Sequence, residues 1–145
     1  MAGGILHRER FTVRGNDFER GGEVAAEIKR ILKGLDIDAA LIRRLSIANF
    51  EAEMNVVMYA DEAAFELAIG EEFIEVVVTD RGPGIEDVAQ AMQIGFSTAT
   101  PEMRARGFGA GLGLPNIQRN ADEFEITSTP GKGTTLRYLI RTGGS

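Results

Sequence analysis

Three short clusters, in order along the chain, hold the residue types best suited to chemistry. Glu51-Ala-Glu53-Met54-Asn55 comes first, Asp80-Arg81-Gly82-Pro83-Gly84 second, and Gly107-Phe-Gly109-Ala-Gly111-Leu112-Gly113-Leu third. In a helix, Glu51, Asn55 and Tyr59 recur at i, i+4 and i+8 and share one face. Asn55 can ligate a hard cation through its amide oxygen without adding charge, which leaves phosphate oxygens and water to complete an octahedron. Glu51, one turn earlier, can take a proton from a hydroxyl or from water. Taken alone, the same residues read as a solvated polar stripe, and Glu53, which falls off it, as a surface charge.

A strand rich in β-branched residues, Ile74-Glu-Val-Val-Val-Thr79, delivers Asp80 onto a turn. A carboxylate at a strand end can accept from an exocyclic amino group such as that of adenine. Gly82 and Gly84, on either side of Pro83, let the backbone pass close to a flat base. Ordinary turn chemistry explains the same residues when they are read in isolation. The four alternating glycines of 107–113 open a helix, and free N–H groups at a helix start can cradle phosphates. Gly131-Lys132-Gly133-Thr134 can place the Thr134 hydroxyl beside a base, although on spacing alone it is a hairpin turn. Two other nucleotide signatures are absent: Gly131-Lys132 lacks the earlier glycine of a P-loop, and no G-x-G-x-x-G follows a strand in a βαβ unit. Together the three clusters point to ATP.

At 145 residues the chain is most simply one domain, residues 1–145, with 43% hydrophobic and 26% charged residues. No apolar run is long enough to cross a bilayer, and no signal-peptide pattern is evident, so neither a membrane nor secretion is expected. The absence of cysteine excludes disulfides and thiolate metal sites. A cytoplasmic address is the default. With a net charge of −6 and no basic stripe, a nucleic-acid partner is not expected. The same charge means that an anionic nucleotide must be held by local dipoles and a metal rather than by the overall field. His7 cannot form a metal cluster alone and reads as a surface residue near a strand start.

The elements that must position these residues follow from periodicity. A first strand is expected at about 6–13. A helix capped by Asn16 or Asp17 follows to about residue 32, ending at Lys33-Gly34. Asp36 or Asp38 opens a longer helix to about residue 60, with Leu41, Leu45, Ala48, Ala52 and Val56 on one side. Strands at 64–69 and 73–79 form a hairpin about Gly70-Glu71-Glu72. A short helix at about 86–93 precedes a glycine-, serine- and threonine-containing stretch, 94–110, long enough to be a lid. A helix at about 112–120 and strands at 123–128 and 134–141 complete the chain. Helices and largely antiparallel strands are segregated, which favours a two-layer α/β sandwich, with helices on one face of a mixed sheet, over a doubly wound one.

In this order the clusters resemble the GHKL ATP-binding domain, the Bergerat fold shared by gyrase, histidine kinases and MutL. Within that superfamily the chain is most similar to the small serine/threonine kinases that act as bacterial anti-sigma factors or stressosome switch kinases. The strongest stretches are Gly95-Phe96-Ser97-Thr98, Gly109-Ala110-Gly111-Leu112, Asp122-Glu123-Phe124 and Ser128 through Thr135. The resemblance implies that Asn55 binds Mg²⁺, that Glu51 is the general base, and that Asp80 holds the adenine amino group beside Gly82 and Gly84. It further implies that Gly107, Gly109, Gly111 and Gly113, with Thr98 and Leu112, wrap the nucleotide. Thr134 would reach adenine through water, and Arg106, with Arg104 in reserve, would meet the γ-phosphate or the partner.

The chain departs from that pattern at Tyr59, where the anti-sigma kinases commonly have histidine, and in Ser46-Ile-Ala-Asn49-Phe50, where a small-residue Ser-Glu-Ala pattern is usual. The resemblance as a whole implies a protein serine/threonine kinase acting on a small antagonist or scaffold protein in a bacterial partner-switching pathway. The alternatives are a non-catalytic, nucleotide-controlled module that sequesters a sigma factor, and a histidine-kinase-like ATPase domain. Many relatives dimerise, so a homodimer is part of the expectation.

Overall fold

A computed structural model of the chain describes residues 4–85, 88–92 and 113–143. Strand β1 (Ile5–Arg14) leads through a 3₁₀ turn at Phe18–Arg20 into helix α1 (Glu23–Gly34) and helix α2 (Ala39–Tyr59). The hairpin β2 (Glu62–Gly70) and β3 (Phe73–Arg81) is followed by the single turn α3 (Val88–Ala91), helix α4 (Gly113–Arg119) and the hairpin β4 (Glu123–Thr129) and β5 (Gly133–Arg141). The sheet order is β1-β2-β3-β5-β4, and every described pairing is antiparallel. The β-branched strand β3 lies at the centre, as its composition predicts.

Strict alternation decides which face is covered. Phe65 and Leu67 of β2, Ile74, Val76 and Val78 of β3, and Leu136, Tyr138 and Ile140 of β5 are buried on the side that receives the helices. From above, Ile28 and Leu32 of α1 and Leu45, Ala48 and Ala52 of α2 join them in one core. The other face is charged: Arg137 pairs with Glu75 at 2.6 Å and with Glu123 at 3.3 Å, and Arg141 pairs with Glu123 at 2.6 Å. Such partly solvated pairs contribute roughly 0–1 kcal/mol each, against about 1.5–3 kcal/mol for a fully buried aliphatic side chain. Stability therefore resides on the helix side, and the fold has two layers, as expected.

Two local expectations are corrected. The first helix is not capped by Asn16 or Asp17. Asn16 takes a positive φ of 62°, Asp17 precedes only the 3₁₀ turn, and α1 begins after Gly22 at φ 100°. Two left-handed residues interrupt what the apolar periodicity alone would run together. Glu53 is also not a surface charge, being 1% exposed. Its carboxylate accepts from the N–H of Val24 at 3.1 Å and of Ala25 at 2.8 Å, and so caps α1 from a different helix. A carboxylate complements both the orphan donors and the positive end of a helix. By contrast Asp38 caps α2 as predicted, accepting from the Ala40 N–H at 2.8 Å.

Candidate functional site

Helix α2 packs against α1, α4 and the sheet, which leaves a narrow strip that includes Glu51, Asn55 and Tyr59, all of them only partly buried. The first turn of α4 crosses that strip. A Cβ added to Gly113 would stand 3.2 Å from Asn55 Oδ1. One turn further on, Asn116 Nδ2 donates to Glu51 Oε2 at 2.9 Å. Ascending α4 from 113 to 116 therefore descends α2 from 55 to 51, and the two helices run in opposite senses here. The glycine that ends the Gly-rich segment thus lies against the proposed metal ligand, where a side chain would crowd it. The Asn55 amide has no hydrogen-bond partner among the described residues.

The second half of the site lies where β3 meets the β4–β5 turn. Asp80 Oδ1 accepts from the Thr134 backbone N–H at 3.0 Å, which leaves the other carboxylate oxygen without a partner among the described residues. Burial pushes the Asp80 carboxyl above its usual range, the Thr134 hydrogen bond opposes this, and the charge of nearby Asp61 adds to the rise. Gly133 must lack a side chain, since its Cβ would fall 2.1 Å from the Asp80 carbonyl oxygen at a φ of 155°. Gly84, at φ 72°, is likewise wedged against the Thr129 carbonyl, which a Cβ would meet at 2.4 Å. Two backbone bonds lock the 82–84 turn to the hairpin, Gly131 N to Pro83 O at 2.7 Å and Gly82 N to Lys132 O at 3.2 Å. The run 131–134 is thus both the hairpin turn and a wall of the site.

Ser128 joins this corner although its spacing did not single it out. Its Oγ accepts from the Ile85 N–H at 2.7 Å, lies 2.8 Å from Thr134 Oγ1 and is 3.2 Å from the Gly133 carbonyl. With the serine proton directed at Gly133, the Thr134 hydroxyl donates to Ser128 and keeps its lone pairs for a further donor. Thr134 is then an acceptor fitted to water or to a base amino group. The register pairs Ser128 directly with Thr134, so counting back from the turn would have found it. Asn116 was missed for a different reason: a helix after a glycine loop has no sequence mark for the side chain that reaches a distant glutamate.

Thr98, Arg104, Arg106, Gly107, Gly109, Gly111 and Leu112, and with them the whole expected lid, 94–110, lie outside the described residues. Tyr59 lies near the Gly82 turn, where a Cβ on Gly82 would come within 3.4 Å of the Tyr59 carbonyl oxygen. Within the departing segment, Asn49 is buried and accepts from the Tyr138 hydroxyl at 2.6 Å. Burial, and secondarily the Glu53 charge, hold that phenol well above its ordinary range, so it stays a neutral donor. His7 is exposed beside Glu9, as expected.

The candidate site thus combines a carboxamide oxygen and a carboxylate oxygen with no partner among the described residues, and turns that only glycine can make. Among the described residues no group of three or more His, Cys, Asp or Glu side chains could hold a metal. An ion at Asn55 would therefore take most of its ligands from phosphate and water, as Mg²⁺ commonly does.

Residues 16–139 match the family described as the histidine kinase-like ATPase domain. The chain belongs to that family. Its membership accounts for ATP as the nucleotide. Among relatives of this ATPase-domain chain, the serine/threonine-protein kinase RsbT of Bacillus subtilis is 29% identical over 115 residues, covering 77% of this chain and 80% of the relative. The anti-sigma F factor of Caldanaerobacter subterraneus is 38% identical over 108 residues, covering 71% and 72%. Among solved structures, the SiaB–SiaC complex of Pseudomonas aeruginosa contains a chain that superposes with a TM-score of 0.63 at 17% identity, covering 94% of this chain and 89% of that one. That likeness supports the fold of the ATPase domain.

Asp80→Asn separates binding from stability. An amide offers one acceptor oxygen to two donors, the Thr134 N–H and an incoming amino group, so one donor goes unmet. Nucleotide affinity is expected to fall about tenfold or more, since a hydrogen bond to a charged group contributes roughly 1.5–3 kcal/mol. The apo protein is expected to melt no lower than the wild type. Asp80 has a folded pKa above its unfolded value, so its ionised form costs stability at neutral pH, and that cost eases as the pH falls through the folded pKa. Thermal melts with and without ADP check both arms, and a lower apo melting point would contradict the burial argument.

Proposed function

We propose that this chain is an ATP-dependent protein serine/threonine kinase of the switch type, phosphorylating a Ser or Thr of a small antagonist or scaffold protein in a bacterial partner-switching pathway. The observation that carries this reading is the Glu51 carboxylate, held by Asn116 on the helix that opens at Gly113, one turn from Asn55. A pure nucleotide binder has no need of an oriented carboxylate at that point. The relatives named as a serine/threonine-protein kinase and as anti-sigma F factors support it.

ATP bound with Mg²⁺ supplies the phosphoryl group and the charge neutralisation that transfer requires. Asn55 would hold the ion. Asp80 would take the adenine amino group, with Thr134 as a second acceptor nearby and Gly84 lining the base. Arg106 is assigned to the γ-phosphate. Glu51 would accept the proton of the acceptor hydroxyl, and Asn116 keeps its carboxylate turned toward that task. The protein's contribution is thus positioning and proton acceptance.

The likeness to anti-sigma F factors favours a second reading, in which the chain sequesters a sigma factor under nucleotide control. The two are separated by incubating the chain with Mg²⁺, γ-labelled ATP and purified candidate antagonist proteins. Label on a Ser or Thr of the antagonist is the expected result. ATP binding with no label on any partner would leave the binder. A cytoplasmic location belongs to this proposal, and among the described residues no helix is long and apolar enough to cross a membrane. So does a homodimer, for which the exposed Ile5 and Leu6 on edge strand β1 offer a contact.

A further inference from the structure

A groove of about 770 Å³ runs between α1 and the N-terminal half of α2. Lys29 and Lys33 line it from α1, and Arg43, Ile47 and Phe50 from α2. Glu51 is the lining residue nearest the C-terminus of α2. Ile47 is 39% and Phe50 44% exposed, and both are large apolar side chains on a helix that is otherwise well covered. None of the three cations forms an ion pair among the described residues, whereas neighbouring Arg44 is occupied by Asp122 at 3.0 Å. Counting Asp36 and Glu51 as well, the groove carries three positive and two negative groups. It is a locally positive channel on a chain whose net charge is −6.

Its place along α2 gives it meaning. From the C-terminal end the helix presents the Gly82 turn near Tyr59 and Ala60, then Asn55, then Glu51, then the groove. At 1.5 Å per residue, Ile47 lies roughly 12 Å beyond Asn55 along the axis. Phosphoryl transfer needs the attacking oxygen roughly in line with the leaving oxygen, on the opposite side of the phosphorus. The adenine corner lies beyond Asn55 in one direction, so an acceptor hydroxyl must come to Glu51 from the other. That other direction is the groove.

We infer that the α1–α2 groove is the docking channel for the acceptor protein, taking a segment beside its Ser or Thr that bears acidic side chains for Lys29, Lys33 and Arg43 and an apolar side chain for Ile47 and Phe50. The inference rests on the kinase reading of Glu51 and adds to it the chemistry of the substrate. The hydroxyl proton passes to Glu51 as the oxygen–phosphorus bond forms and the bond to ADP breaks. A small, partly apolar channel with a charged rim suits a short-lived enzyme–substrate contact, in which charge governs encounter and partner choice.

The test uses the full chain with ADP and Mg²⁺ and two fluorescein-labelled peptides. Each has a central serine and flanking leucines, one with glutamates and the other with lysines. The glutamate peptide is expected to bind at least about tenfold more tightly, and Lys33→Glu with Arg43→Glu to erase that preference. ADP affinity should stay within about twofold in the same variant, because neither residue touches the nucleotide half of the site. The chain has no cysteine, so Ile47→Cys gives a single thiol, whose attached probe should respond to the glutamate peptide. Equal binding of the two peptides, or indifference to the charge reversal, would overturn the inference. So would a thiol at position 47 that no reagent reaches, since the groove would then be filled by the chain itself, or a charge reversal that merely dissociates a dimer. Failure to retain ADP would instead remove the kinase reading beneath it, and the two failures are read from separate titrations.

Discussion

Glu51→Gln is expected to lower phosphotransfer by roughly 10²–10⁴-fold, the usual contribution of a positioned general base. Glutamine is the informative replacement. Its side-chain oxygen can still accept from Asn116 Nδ2, which now donates to Glu51 Oε2 at 2.9 Å, so the α2–α4 contact persists while the proton acceptor is gone. Nucleotide affinity should hold within about threefold, because Asn55 and Asp80 are untouched, and any slow ATP hydrolysis should fall in parallel, since water can occupy the acceptor's place. Quantifying label on the acceptor, alongside ADP binding, checks both. A variant that keeps phosphotransfer within about tenfold of the wild type would show that Glu51 is not the base.

The largest expected effect on stability lies two residues away. Glu53→Ala removes the acceptor of the Val24 and Ala25 N–H groups at the start of α1 and leaves a hole beneath them. An unsatisfied buried donor costs roughly 1–3 kcal/mol, so a loss of about 3 kcal/mol is expected, a large share of the ~5–15 kcal/mol that holds a typical domain together. Glu53→Gln keeps one acceptor oxygen and should lose about half as much. Urea unfolding at neutral pH measures both. An alanine variant within about 0.5 kcal/mol of the wild type would mean that α1 finds other partners for its first turn. Asn49, a turn before Glu53 and bonded to Tyr138, is expected to keep its place in either variant.

Which of these residues could be read beforehand depends on how local their signal is. Asp80 and Gly84 were legible because each answers a local demand, a strand end and a turn whose backbone must pass close, whereas Gly133 was legible only as part of a hairpin turn. Strand β3 was legible from its β-branched run, and the Glu51–Asn55 stripe from a single helical period. Glu53 was not, because one apolar stripe on α2 implies one buried side. The helix is instead packed by α1, α4 and the sheet, so a position beside Ala52 is also interior. The start of α1 was misplaced by the same cause: its cap comes from another helix, 29 residues distant from Val24. Asn116 needed the tertiary contact between α4 and α2 and had no local mark. The charges on the open sheet face followed from alternation, whereas their pairing, such as Arg137 with Glu75 and Glu123, needed the strand order.

Isothermal calorimetry with ADP and a non-hydrolysable triphosphate analogue tests most directly whether Asn55 and Asp80 act on one nucleotide. Binding at one site per chain is predicted with Mg²⁺ present, with the analogue weakened about tenfold or more by EDTA or by Asn55→Ala, in keeping with a loss of roughly 1.5–3 kcal/mol at a charged contact. Absence of measurable heat for both nucleotides in the presence of Mg²⁺, from a chain that is folded by circular dichroism, would contradict it.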